Sequence, residues 1–277
     1  MTTPPRLTQA EYIAFLGCLP VHPSELYFTV NSDNVEEVKE FLVNNPILDC
    51  NWRDGNDCTA LFSACRAGSD IVVSILLIHP GVDVNLKNNH GRTPFMIACD
   101  GHTSCVRELL KDSRVKVNEP NNNRYTPLWI AARNGHLDII KSWIASGREM
   151  DLGTPGDVDQ TDAIGVAKKK GKTEVVSLLE RFKENSLETR HAMRVELGLL
   201  DDLAAEMFAM VVFVSDGLLQ VKDTTTPSPA ARFFRIARNL PLEFQMVLCY
   251  RVVGSAKEII PGKESEVAFK KLARRLW

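Results

Sequence analysis

One seven-residue pattern returns along this chain every 33 to 36 residues. Thr59-Ala60-Leu61-Phe62-Ser63-Ala64-Cys65 comes back as Thr93-Pro94-Phe95-Met96-Ile97-Ala98-Cys99. It returns again as Thr126-Pro127-Leu128-Trp129-Ile130-Ala131-Ala132, and more loosely as Asp162-Ala163-Ile164-Gly165-Val166-Ala167. A second signal keeps step between the copies, as Asp83-Val84-Asn85, Lys116-Val117-Asn118 and Glu149-Met150-Asp151. A unit of this length is too short to bury a core by itself and must cover its apolar face with the next unit. The expected product is a stack of helical units that presents a surface and carries no chemistry of its own.

The residues of each unit have readable roles. Thr can cap the first free backbone N–H groups of a helix, and Pro after it lacks an N–H that would be orphaned there. Leu128, Ile130, Ala131 and Ala132 follow at helical spacing, and the alanines allow close helix approach. Gly135-His136 supplies a turn, with Gly free to take positive φ. A second helix with Ile139, Ile140, Trp143 and Ile144 on one face follows. An Asn- and Gly-rich link then suits a tight hairpin-like connection.

These residues resemble the ankyrin repeat and its Thr-Pro-Leu-His-x-Ala signature. The resemblance is strongest at 121–151, clear at 88–118 and 54–85, and looser at 24–51 and 158–183. It implies an all-α solenoid of about five helix-turn-helix units over 24–183, preceded by an N-terminal segment 1–23 and followed by an α-helical region 184–277. Departures from the pattern matter too. Phe62, Met96, Trp129 and Gly165 replace the family's His, so a polar brace between neighbouring units is expected to be missing. One residue fewer separates Cys99 from Gly101, which should tighten that turn. Asp57 and Arg124 stand where the family has a hairpin Gly, which puts the local conformation in question. Lys168-Lys169-Lys170 and Lys172 fit a solvated cap on the last unit. Asn85, eight residues after Leu77, looks like the asparagine that ankyrin proteins present to a protein hydroxylase. The competing reading is that it bonds its own turn.

Beyond Glu184 the period is lost, but helical patterning continues through 187–200, 201–221, 230–239, 241–253 and 265–276. The break at 222–229 and the stretch from Gly254 to Pro261-Gly262 separate these segments. Leu240-Pro241-Leu242-Glu243-Phe244-Gln245 faintly resembles the opening of an F-box helix. Arg232, Arg235, Arg238, Arg251, Lys270, Lys271, Arg274 and Arg275 make this end basic, as a solvated face or an acidic-partner surface.

Composition narrows the function. A net charge of −2 gives no global attraction to nucleic acid or an anionic membrane, so neither is the expected partner. The start, Met1-Thr2-Thr3-Pro4-Pro5, lacks the features of a secretory signal. Seven cysteines, an odd number, read as buried thiols in a reducing compartment, the cytosol or nucleus. Cys99, His102 and Cys105 are three apart, but the register puts Cys99 in the core and no fourth ligand is evident. No catalytic, cofactor or metal site is expected, and no enzyme activity.

The resemblance assigns partner binding to the concave face made by inner helices and hairpin tips. Carried onto this chain, that face holds Asn56, Cys58 and Arg66. It continues through Asn89, His90, Arg92 and Asp100, then Asn122, Asn123, Tyr125, Arg133 and Asn134. Arg92, Tyr125 and Arg133 are the expected anchors, since Arg and Tyr dominate interface hot spots. The expected protein is a monomeric intracellular module that binds another protein. The alternative is a two-ended adaptor, for example one serving a ubiquitin ligase, with the C-terminal helices holding a second partner.

Overall fold

The computed structural model describes residues 22–32, 34–45, 48–153, 161–220, 229–253 and 262–276. The expectations for residues 1–21, 158–160, 222–228 and 254–261, and for the side chains of Lys271, Arg274 and Arg275, lie outside the described residues. Fifteen helices and no strand occur among the described residues. The chain divides into two compact units, residues 1–184 and 185–277.

Five helix pairs fill the first unit. They are α1 (Ser24–Asn31) with α2 (Val35–Asn44), α3 (Ala60–Ala67) with α4 (Asp70–Ile78), and α5 (Pro94–Ala98) with α6 (Thr103–Lys111). Then come α7 (Pro127–Asn134) with α8 (Leu137–Ser146), and α9 (Ala163–Lys169) with α10 (Thr173–Glu184). Each odd-numbered helix packs on the next odd one, and each even-numbered helix on the next even one. The result is an inner row and an outer row, as expected of stacked units.

Sequence dictates where each inner helix starts. The hydroxyls of Thr59, Thr93 and Thr126 accept from the N–H groups of Phe62, Met96 and Trp129 at 3.2, 3.1 and 3.2 Å. Asp162 does the same for Gly165 at 2.6 Å. Gly68 and Gly135 end α3 and α7 at φ +80° and +82°. In the third unit the missing residue shortens the inner helix to Pro94–Ala98, and Gly101 turns the chain at φ +135°.

The hairpins repeat with equal regularity. Asp54 Oδ1 accepts from the amides of Asn56 and Cys58, both at 2.8 Å. Asn88 serves His90 and Arg92 at 3.1 and 2.9 Å, and Asn121 serves Asn123 and Tyr125, both at 3.0 Å. Asp57 and Arg124 adopt φ +60° and +61°, the left-handed conformation that Gly91 takes at +73°. The hairpin therefore keeps its shape without glycine at two of three positions.

The brace that the family's His would supply is missing, yet the units do not lack polar bracing. The family's His position is indeed apolar and buried, as Phe62, Met96 and Trp129. Bracing comes instead from loop residues that reach the backbone of a neighbouring unit, Asn51 and Asn85 forward and Arg114 and Arg148 backward. Asn51 donates to Gly81 O at 2.8 Å and accepts from Asp83 N at 2.8 Å. Asn85 donates to Arg114 O at 2.9 Å and accepts from Lys116 N at 2.8 Å, so its side chain does not bond its own turn. Arg114 donates to Leu77 O at 2.7 Å, and Arg148 to Asp112 O at 2.7 Å.

The second unit holds α11 (Ser186–Glu196), α12 (Leu200–Ser215), α13 (Pro229–Ala237), α14 (Leu242–Val252) and α15 (Gly262–Leu276). α13, α14 and α15 pack on α12. Ala204, Ala205, Phe208, Ala209 and Val211 form its buried face, against Ala237, Cys249, Tyr250 and Ala268. Two helices end earlier than expected. Gly198 at φ +68° follows α11, and Gly217 at +74° follows α12, each supplying the left-handed residue that stops a helix.

Candidate functional site

The inner helices and hairpins bring most of the expected residues into two bands of the first unit. Asn56, Asn89, His90, Asn122 and Asn123 are exposed on the hairpins. Their backbones form a ladder between units. Asn89 N–H donates to Asn56 O at 3.1 Å, and Asn122 N–H donates to His90 O at 3.2 Å. The Asn122 side chain adds a bond to Asn89 O at 3.0 Å. These asparagines thus hold the hairpins in line as well as facing outward.

The second band lies along the inner helices and the residues flanking their ends. Arg66, Asp100, Arg133 and Asn134 are exposed, and Arg92 and Tyr125 are half-buried. Asn134 Nδ2 donates to Asp100 Oδ1 at 2.5 Å, joining α7 to the turn after α5. Tyr125 stacks on Trp129 with ring centroids 3.9 Å apart and planes 11° apart. The Arg133 guanidinium carbon sits 5.6 Å from the Trp129 centroid. Trp129 and Arg133 are four apart on one face of α7, and Tyr125, one residue before the Thr126 cap, lays its ring on the same indole. The Nε of Arg92 is buried without a hydrogen-bond partner.

Cys58 does not belong to this face. It is only 2% exposed and packs with Tyr27 and Phe62 in a small core under the first hairpin. Its position directly after the hairpin turn points it inward, and burial pushes its thiol pKa up.

Electrostatics at the hairpin follow from these contacts. Burial alone would raise the Asp54 pKa. Hydrogen bonds from the Tyr27 hydroxyl, at 2.7 Å, and from the Cys58 and Asn56 amides outweigh it, with help from the Arg66 charge, and hold it below the ordinary value of 3.8. Cys65 and Cys99 are fully buried, and desolvation pushes both thiols well above their ordinary range. Burial pushes Cys105 up to about 11. Such thiols are poor nucleophiles and poor metal ligands. The His102 ring lies against Gly68, where an added Cβ would come within 2.6 Å of its Nδ1. Among the described residues no group of three or more His, Cys, Asp or Glu could hold a metal ion.

Sequence reasoning missed two residues that share these registers. Lys169 stands seven residues after the Asp162 cap, as Arg133 stands after Thr126, and Arg124 occupies the left-handed hairpin position. The first was legible from the repeat spacing alone. Of the four-lysine cluster, Lys168 pairs with Glu180 at 2.7 Å. The Lys172 stem lies against Gly135, as the His102 ring lies against Gly68.

A family model described as ankyrin repeats (3 copies) matches residues 26–121 and 72–154. Residues 26–154 are ankyrin repeats. The match spans the first four helix pairs, and the fifth continues the same stacking beyond it. Ankyrin repeats are a protein–protein interaction scaffold. Among curated proteins, alpha-latrocrustotoxin-Lt1a of Latrodectus tredecimguttatus is 29% identical over 170 residues, 61% of this chain and 12% of that protein. SMC5-SMC6 complex localization factor protein 1 of Homo sapiens is 38% identical over 90 residues, 32% of this chain and 8% of that protein. Transient receptor potential cation channel subfamily A member 1 of Homo sapiens is 26% identical over 169 residues, 46% of this chain and 15% of that protein. The chain thus spans a small fraction of each relative's length. No described helix is long and apolar enough to cross a membrane.

Proposed function

We propose that residues 24–183 bind one protein partner along the inner-helix face, in a reducing compartment such as the cytosol or nucleus. The chain acts as a monomeric interaction module and not as an enzyme. Residues 184–277 form a separate helical region. The observation that carries this reading is the Tyr125–Trp129–Arg133 stack, in which a half-buried phenol and an exposed guanidinium are both held against one buried indole. A guanidinium fixed in this way loses less freedom on pairing with a partner's carboxylate, and rigid aromatics supply contact area at low entropic cost. Arg92 lies at the Tyr125 register of the adjacent ankyrin unit and supplies a third anchor. Replacing Arg92, Tyr125 and Arg133 together by Ala should weaken the partner by more than about 2 kcal/mol. The control removes charge from the last helix, at Lys270, Lys271, Arg274 and Arg275. Loss of binding in the control alone, measured by calorimetry, contradicts the reading.

The adaptor reading draws on a different observation. Leu242 and Phe244 are exposed apolar residues in the first turn of α14, in the second unit. Two unrelated partners, one retained by residues 24–183 and the other by 184–277 in a pulldown, would establish it. A single partner mapping only to 24–183 would dismiss it.

A further inference from the structure

The inner-helix face is far more basic than the chain that carries it. The chain as a whole has a net charge of −2. Yet among the described residues Arg66, Arg92, Arg124, Arg133, Lys169 and Lys170 share this face with three carboxylates, Asp54, Asp57 and Asp100. Asp57 lies 4.0 Å from Arg53 and is partly offset.

One row crosses the stack in strict register. Arg66, Asp100, Arg133 and Lys169 each stand seven residues after the N-cap of their own inner helix, and all four are exposed. The order of charge is positive, negative, positive, positive. Contacts within the stack order this row. The Arg133 guanidinium sits over Trp129 at 5.6 Å. Arg66 Nη2 donates to Ser63 Oγ at 3.5 Å, one turn back on α3. Asp100 is fixed by the 2.5 Å bond from Asn134. Charges ordered before binding favour a partner whose own charges match their spacing.

The spacing follows from two lengths. Adjacent helices pack about 8–10 Å apart, and an extended chain advances about 3.3 Å per residue. One step across the row therefore corresponds to three residues of an extended peptide. We propose that this face selects an extended, predominantly acidic peptide segment of a partner protein, with charges at every third residue in the order acidic, basic, acidic, acidic, set against Arg66, Asp100, Arg133 and Lys169. The inference rests on the reading of this face as the partner-binding surface. A nucleic-acid strand fits the row worse, because it carries a negative charge at every nucleotide and one would fall against Asp100.

The test pans a phage-displayed library of random peptides, roughly 12 residues long so that they span the row, against the immobilised full-length chain. Enrichment of the three-residue charge pattern, in either chain direction, is expected. A fluorescein-labelled enriched peptide should bind about tenfold or more weakly to Arg133→Glu, and Lys in the facing peptide position should restore binding. Asp100→Arg should reverse the preference at its facing position from basic to acidic. Failure to enrich any peptide overturns the proposal. Enriched peptides that lack the pattern, but lose binding when Tyr125 and Arg133 are replaced by Ala, overturn the charge code while leaving the face as the binding surface. Peptides insensitive to those replacements overturn both. Tighter binding of a single-stranded oligonucleotide of similar length than of any peptide overturns it in favour of nucleic acid.

Discussion

Replacing Trp129 by Ala should remove one of the largest single contributions to the stability of the ankyrin stack. The indole is 6% exposed, with Tyr125 stacked at 3.9 Å and Arg133 above the ring at 5.6 Å. A large aromatic buries about 150–250 Å². At about 25 cal/mol per Å² that corresponds to about 4–6 kcal/mol, an upper bound because unfolded chains already bury some surface. Measured truncations of buried Phe and Trp cost about 3–5 kcal/mol, so about 4 kcal/mol is expected. Of this, the ring stack accounts for about 0.5–1.5 kcal/mol and the cation–π contact for about 0.5–1 kcal/mol. Helix α7 packs on both α5 and α9, so the loss should lower the melt of the whole stack. Urea titration followed by circular dichroism would measure it in the full chain. Trp129→Phe should lose about 1–2 kcal/mol, and Arg133→Ala less than about 1 kcal/mol. A Trp129→Ala variant that loses less than about 1 kcal/mol, or no more than Arg133→Ala, would refute the assignment of the indole to the core.

Three further outcomes are expected. Gly91→Ala should destabilise by about 2 kcal/mol or more in thermal melts, because Gly91 has φ +73° and an added Cβ would lie 2.2 Å from Asn122 Oδ1 and 2.7 Å from its backbone N; an unchanged melting temperature would show that the hairpin relaxes freely. The folded-state pKa of Asp54 lies below its ordinary 3.8, so its contribution is present above that value and lost as pH falls through the folded value. Asp54→Asn, which copies Asn88 and Asn121, should therefore keep the hairpin but lose less stability than wild type between pH 6 and pH 3 in urea titrations. Equal losses would exclude Asp54 as a source of acid sensitivity. Residues 20–185 expressed alone should melt cooperatively as helix, with reduced stability, and a chain without a cooperative transition would dismiss the proposed domain division.

Much of the first unit was legible because its local chemistry repeats. The Thr59, Thr93 and Thr126 caps, the glycines ending α3 and α7, and the buried face of Ile139, Ile140, Trp143 and Ile144 all act within a few residues of themselves. What escaped sequence reasoning acts across units. The Asn51, Asn85 and Arg114 side chains bond backbone groups 29 to 37 residues away, and backbone acceptors leave no mark in side-chain identity. The repeated Asn at 51, 85 and 118 was a signal of this role, read instead as turn chemistry. Cys58 was misplaced because a hairpin residue one position from an exposed tip can turn wholly inward. In the second unit, Gly198 and Gly217 were overlooked as helix stops because the apolar pattern runs past them. The charged row of Arg66, Asp100, Arg133 and Lys169 becomes visible only when the four caps are aligned.

The central claim is that the inner-helix face receives the partner. Its most direct test places a photo-crosslinking amino acid at Asn123, on the hairpin, and separately at Ser177, exposed on outer helix α10, in the full-length chain expressed in cells. The account predicts that Asn123 yields a discrete crosslinked product, that Ser177 does not, and that replacing Arg92, Tyr125 and Arg133 by Ala abolishes the product. A product from Ser177 alone, or one from Asn123 that survives the triple replacement, would contradict it.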